Sequence, residues 1–126
     1  MPHYATVKVV VGTVLRKNGK YLLVQDRKIS AKRKWTFPAG RVEAGQTIEQ
    51  SAIREAREES GFRVKHIKKL FVYHEDLRHP VRHAFLGKIT GGHLNFPKRE
   101  ILAAGRFTFG EIQKMYQKNK IRHHWI

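Results

Sequence analysis

A helix with both ends written into the chain lies between Thr47 and Gly61. Thr47 carries a side-chain oxygen of the kind that caps helices, and Gln50 three residues on completes a capping box. Ile48, Ala52, Ile53 and Ala56 share one side, the spacing of a helix that buries one face. Gly61 stands where a glycine often closes a helix. Around this helix the chain reads as strands. Residues 4–15 alternate and are rich in Val and Thr, and Asn18-Gly19 signals a hairpin whose returning strand is Tyr21-Leu22-Leu23-Val24. Trp35-Thr36-Phe37 is a short strand punctuated by Pro38 and Gly40. Residues 63–74 and 81–90 form two more strands, the second broken by Gly91-Gly92. After a loop carrying Pro97, a short strand near Arg106-Phe107-Thr108 leads into a helix over about 110–117. Ile112, Met115 and Tyr116 are that helix's expected core side. Strands on both sides of one central helix, with a second helix at the end, predict an α+β sandwich. A length of 126 residues fits one such domain, residues 1–126, with little room for a second core.

Charge adds a location. The chain has 26 Lys+Arg against 10 Asp+Glu, a formal net charge of +16. Such a surface attracts polyanions, whether nucleotide, nucleic acid or anionic membrane. Half of the acids (Glu43, Glu49, Glu55, Glu58, Glu59) fall between positions 43 and 59, so a basic chain has one acidic knot able to hold a cation. No segment has the apolar length to span a bilayer, and no secretion signal opens the chain. With no cysteine there are no disulfides, thiolate ligands or cysteine nucleophile, and these features together fit a cytoplasmic protein. The spacing of His74, His79, His83 and His123-His124 matches no tight metal motif.

Glu55, Glu58 and Glu59 have the i, i+3, i+4 spacing that gathers side chains on one helical face. Three carboxylates so close repel one another unless a charge offsets them, and hard cations such as Mg²⁺ or Mn²⁺ prefer oxygen ligands. Alone, such a triplet reads as a solvated face. Its surroundings change that reading. From Gly40 to Phe62 the chain resembles the Nudix box: Gly40, Arg54, Glu55, Glu58, Glu59, Gly61 and Phe62 all stand in register with that pattern. Six fixed identities coincide by chance in a chain this long on the order of once in 10⁵. The preceding Trp35-Thr36-Phe37-Pro38-Ala39 also looks like the family's approach to the box. Two positions depart from it. Gln46 replaces the first box glutamate and contributes no charge, and Ala56 replaces a larger apolar residue.

The resemblance implies a Nudix-type α/β/α sandwich with a mixed central sheet. It also implies Mg²⁺- or Mn²⁺-dependent hydrolysis of a phosphoanhydride in a nucleoside diphosphate linked to another group X. In that carry-over Glu58 and Glu59 are the main metal ligands, and Glu55 is a ligand or the base, held by Arg54. A backbone carbonyl at Ala39 or Gly40 adds a further ligand, and Glu100 is the candidate for a base outside the box. Arg33 and Lys34, with Lys28 and Lys32, flank the box and can meet phosphates. Tyr73, Phe85, Phe107 and Trp125 can stack on a base or serve as core. The box leaves X open, and either a monomer or a homodimer is compatible with it. The competing reading, motivated by Gln46 and the charge, is a weakened Nudix-like domain that binds nucleic acid or trims RNA 5′ ends.

Overall fold

The computed structural model describes residues 3–27 and 33–122. Strands β1 (Val9–Lys17) and β2 (Lys20–Asp26) meet at Asn18-Gly19, where both residues take positive φ, 54° and 73°. That backbone is the one a two-residue hairpin turn needs, and Asn and Gly tolerate it best. There follow β3 (Trp35–Thr36), β4 (Ala39–Arg41), α1 (Ile48–Ser60), β5 (Phe62–Tyr73), β6 (Val81–Gly92), β7 (Ile101–Thr108) and α2 (Phe109–Gln117).

One seven-stranded sheet has the order β3-β2-β1-β6-β5, with β4 paired to β1 and β7 to β2. β1 and β6 run parallel, and the other pairs are antiparallel, so the sheet is mixed. Each face carries a helix. Beneath α1 lie Val11, Ala52 and Phe85, continued by Leu15, Leu22, Ala56, Val64 and Ile89. Beneath α2 lie Leu23, Ile112 and Ile121, with Trp35, Phe107 and Met115 packed around them. Leu22 and Leu23 are consecutive and both buried, because alternation on β2 sends them to opposite faces, each covered. This is the α/β/α sandwich the sequence implies.

The feature that makes a cleft is the parting of β1 from β2. Past the hairpin the two strands pair only at Arg16–Tyr21 and Lys17–Lys20. β1 then takes β4 along Val10–Gly12, while β2 takes β3 and β7. The short β3–β4 segment therefore runs between diverging strands.

Three boundaries and the packing side of α2 differ from the sequence reading. β1 begins at Val9 rather than Tyr4, which is 84% exposed and lies against no strand. β7 starts at Ile101 instead of near Arg106, because β2 offers a long partner and Ile101 is buried. β6 runs through Gly91 and Gly92, held by their pairing with Arg63 and Phe62. Tyr116 is exposed, while Ile112 and Met115 turn inward. On α1 the buried residues are Ser51, Ala52, Ala56, Glu59 and Ser60, mostly small, and Ile53 is only half-buried. Small residues let the helix lie close to the sheet. Among the described residues no helix is long and apolar enough to cross a membrane.

Candidate active site

The phase of α1 is fixed at both ends. Thr47 Oγ1 accepts from Gln50 N at 3.1 Å, and Gln50 Oε1 accepts from Thr47 N at 2.9 Å. At the other end Gly61 adopts φ 82° and donates its N–H to Arg57 O at 2.8 Å. A Cβ there would stand 2.6 Å from the carbonyl oxygens of His93 and Asn95. With its ends held, α1 turns Glu55 and Glu59, four residues apart, toward the parting of the sheet.

They face a cleft of about 740 Å³. One wall is the β4 loop from Ala39 to Glu43, and the other is built from the end of β2 and the start of β7. Asp26 and Ile101 are register partners there, and Arg27 N donates to Glu100 O at 2.9 Å, which brings Asp26, Arg27, Arg99 and Glu100 to the rim. The Glu55 carboxyl lies directly over Gly40: a Cβ on that glycine would be 2.2 Å from Glu55 Cδ. Glu59 is 9% exposed and its Oε1 accepts from Ala39 N at 3.0 Å. Burial pushes its pKa up to about 8, against the Ala39 hydrogen bond, and the Glu55, Asp26 and Glu100 charges push it further up. Four carboxylates thus share one field.

Arg54 ties this arrangement together. Its guanidinium donates to Glu55 Oε1 at 3.0 Å, to Arg41 O at 3.3 Å and to Glu43. The helix and the β4 loop are joined through one planar group. Gln46 lies outside the cleft lining. Its Oε1 accepts from Ser51 Oγ at 3.0 Å, and Ser51 Oγ in turn accepts from Glu43 N at 3.2 Å. A neutral acceptor suffices for that task.

The structure brings together Glu55, Glu59, Gly40, Arg54 and Glu100 from the sequence candidates. It does not bring Glu58, which is exposed and absent from the cleft wall, because a helix that aims positions 55 and 59 inward carries 58 past the rim. Arg33 is exposed, and Lys34 Nζ donates to Asn119 Oδ1 at 3.0 Å, far along the chain from the box. Phe85 is core, 5% exposed and stacked on His66 at 4.6 Å, since position 85 points beneath α1. Phe107 is packed edge-on to Trp35 at 5.1 Å. Tyr73 sits on the outer strand opposite Arg82. Lys28, Lys32 and Trp125 lie outside the described residues. Sequence reasoning missed Asp26 and Arg27 at the end of β2, and Arg41 and Arg99 beside the box and Glu100. Only the scarcity of acids marked Asp26 in advance, and nothing marked the arginines.

Among the described residues no three carboxylate or imidazole groups already meet at ligating distance. What converges is charge and donor type. The cleft offers oxygen donors, the chemistry Mg²⁺ and Mn²⁺ prefer, around a buried carboxylate whose repulsion a cation would relieve. The residues fit such an ion.

The family model described as NUDIX domain matches residues 6–126. The chain belongs to that family. A Caenorhabditis elegans relative bearing a nudix hydrolase name is 38% identical over 109 residues, covering 83% of this chain and 30% of the relative. The 8-oxo-dGDP phosphatase NUDT18 of Homo sapiens is 36% identical over 92 residues, covering 71% of this chain and 28% of that protein. This chain therefore spans less than a third of the length of either. A crystal structure of a NUDIX hydrolase from Nitrosomonas europaea superposes with a TM-score of 0.84 at 33% identity, over 98% of this chain and 68% of that one.

Proposed function

We propose that this protein hydrolyses a phosphoanhydride in a nucleoside diphosphate linked to another moiety, using a divalent cation and water attack at phosphorus. The observation that carries the reading is the Glu55–Glu59 pair facing a cleft across Gly40, within the fields of Asp26 and Glu100. The NUDT18 relative, named as a phosphatase of a nucleoside diphosphate, supports the substrate class.

Glu55 and Glu59 would hold the cation, with the Gly40 carbonyl beside them. When bound, a divalent cation supplies charge neutralisation at the phosphate oxygens and Lewis acidity. The chain's own residues do the rest. Arg54 holds Glu55 over Gly40 and fixes the carboxylate's direction. Arg27, Arg41 and Arg99 line the same cleft and can receive the anionic oxygens. Glu100 stands on the wall across from α1 and is the candidate to take a proton from water.

A panel of nucleoside diphosphates and triphosphates, nucleotide sugars and dinucleotides, each with Mg²⁺, Mn²⁺ or EDTA, tests this. Metal-dependent release of phosphate, pyrophosphate or paired monophosphates is expected. Glu55→Gln should lower that turnover on the order of 10²-fold or more with an unchanged circular dichroism spectrum. Equal turnover by the parent and the variant would sink the assignment.

A further inference from the structure

A second lobe of about 310 Å³ adjoins the carboxylate cleft and shares Gly40, Arg41 and Glu59 with it. Its walls carry four cationic side chains: Lys8, Arg41, Arg82 and Arg122. Val10 is the register partner of both Arg41 on β4 and Arg82 on β6. Residues opposite one another across strands point to one face, and Lys8, two before Val10, shares it. Val11 packs on Ala52 of α1, so this is the sheet face away from that helix. Arg122 arrives by a separate device. Ile121 bridges Trp35 in parallel, with Trp35 N donating to Lys120 O at 2.8 Å and Arg122 N to Trp35 O at 2.9 Å.

Arg82 is only 9% exposed, and among the described residues no carboxylate forms an ion pair with it. Burial and then the Arg122 charge lower its pKa, against the opposing pull of Tyr73 and Glu75. Thr36 Oγ1, in the same lobe, is buried without a hydrogen-bond partner. Two carboxylates, Asp26 and Glu59, also line the lobe, against the four cations. A buried guanidinium with no carboxylate paired to it and an orphaned hydroxyl, both on the walls of one lobe, are costly unless something accepts from them. An anion does.

We propose that this lobe is an anion subsite, in which Arg82, Arg122 and the Thr36 hydroxyl hold a phosphate group carried by the X moiety. The preferred substrate then bears a phosphate beyond the anhydride that is cut, in place of a neutral sugar or base. Assigning the phosphate to the substrate rests on the hydrolase reading above; the existence of the subsite does not.

The first measurement uses metal-free protein in EDTA at low ionic strength, titrated with inorganic phosphate by calorimetry. Arg82→Met and Thr36→Val should weaken binding, the former about tenfold or more, while Lys88→Met on exposed β6 surface leaves it unchanged. Should Arg82→Met fail to fold, Arg122→Gln, which retains the backbone bonds to Trp35, is read in its place. The second measurement compares kcat/KM, with Mg²⁺, for two nucleoside diphosphate-linked sugars that differ by one phosphate on the sugar. Wild type should prefer the phosphorylated one by about tenfold, Arg82→Met should erase that preference, and Lys88→Met should keep it. Phosphate affinity equal in wild type and both arginine variants overturns the subsite. Intact, Arg82-dependent phosphate binding without turnover of any substrate supports the subsite and overturns the hydrolase reading.

Discussion

Gly40 and Arg54 were legible in the sequence as members of a pattern, but their reasons for being there were not. The pattern says that glycine belongs at position 40. The structure says why: the Glu55 carboxyl fills the space that a Cβ would take, at 2.2 Å. That neighbour is the far end of a flexible side chain, so Gly40→Ala should fold with little loss of stability. Its cost falls on function, because Glu55 must leave the cleft position that Arg54 defines at 3.0 Å. A displacement of about 1 Å at a reacting group can cost on the order of 10²-fold in rate. Metal-dependent turnover of Gly40→Ala should therefore drop by that order, with a thermal midpoint within a few degrees of the parent. Wild-type turnover in the variant would remove Glu55 from its assigned place. Gln46, by contrast, reads in the sequence as a charge missing from the box, and the structure gives it a task that needs none, accepting from Ser51 at 3.0 Å outside the cleft. A one-dimensional pattern records which residue differs and is silent about which way its side chain points.

Elements carrying their own local signals were readable, and what distant partners add to them, β4 and the length of β7, was not. α1 carries its own cap box and terminal glycine, and both appear as expected. β4 is three residues long and exists because β1, separated from β2, has an edge to satisfy at Val10–Gly12. No local signal announces that. The Thr108–Glu111 capping box of α2 was available in the sequence and moves its start to Phe109. Gly61 lies where both kinds of specification meet. Its φ of 82° favours glycine, and backbone atoms of His93 and Asn95 close off the space beside it. Gly61→Ala should destabilise the fold by roughly 1–3 kcal/mol, read as a lower urea midpoint at unchanged m-value. β5 adds a pH dependence. His66 is buried against Phe85, its Nε2 is 3.1 Å from Thr13 Oγ1, and Glu49 stands 3.7 Å from Nδ1. Burial lowers its pKa despite the Glu49 charge. The unfolded chain then binds the proton more readily than the folded one, so stability is full above the unfolded histidine value of about 6.5 and is lost as pH falls below it. His83, also lowered by burial and by Lys69, acts in the same direction. Urea unfolding at pH 7 and pH 5 should show a loss for the parent that shrinks in His66→Gln. An equal loss in both would place the acid sensitivity elsewhere.

Across the whole molecule, the acidic knot in the sequence became half of a site whose other half came from far along the chain. Asp26 and Glu100 join Glu55 and Glu59 only because β7 pairs with β2. That pairing could not be read from the local pattern of the chain's last third. The surplus charge of +16 is a property of the entire surface and bears on the competing nucleic-acid reading. Binding driven by such charge alone comes from counterion release, so it carries no preference for sequence and falls steeply with salt. A protein making six or more phosphate contacts loses about 10³-fold or more in affinity between 50 and 200 mM salt. Fluorescence anisotropy with a single-stranded RNA oligonucleotide across that range should show this slope, with weak binding at the upper end. Turnover of a small nucleotide substrate, held inside a cleft only about 740 Å³ in volume, should change far less over the same range. The two curves separate a hydrolase with a basic surface from a nucleic-acid module. Tight RNA binding that persists at 200 mM salt, together with small-nucleotide turnover too slow to measure, would reverse the order of the two readings.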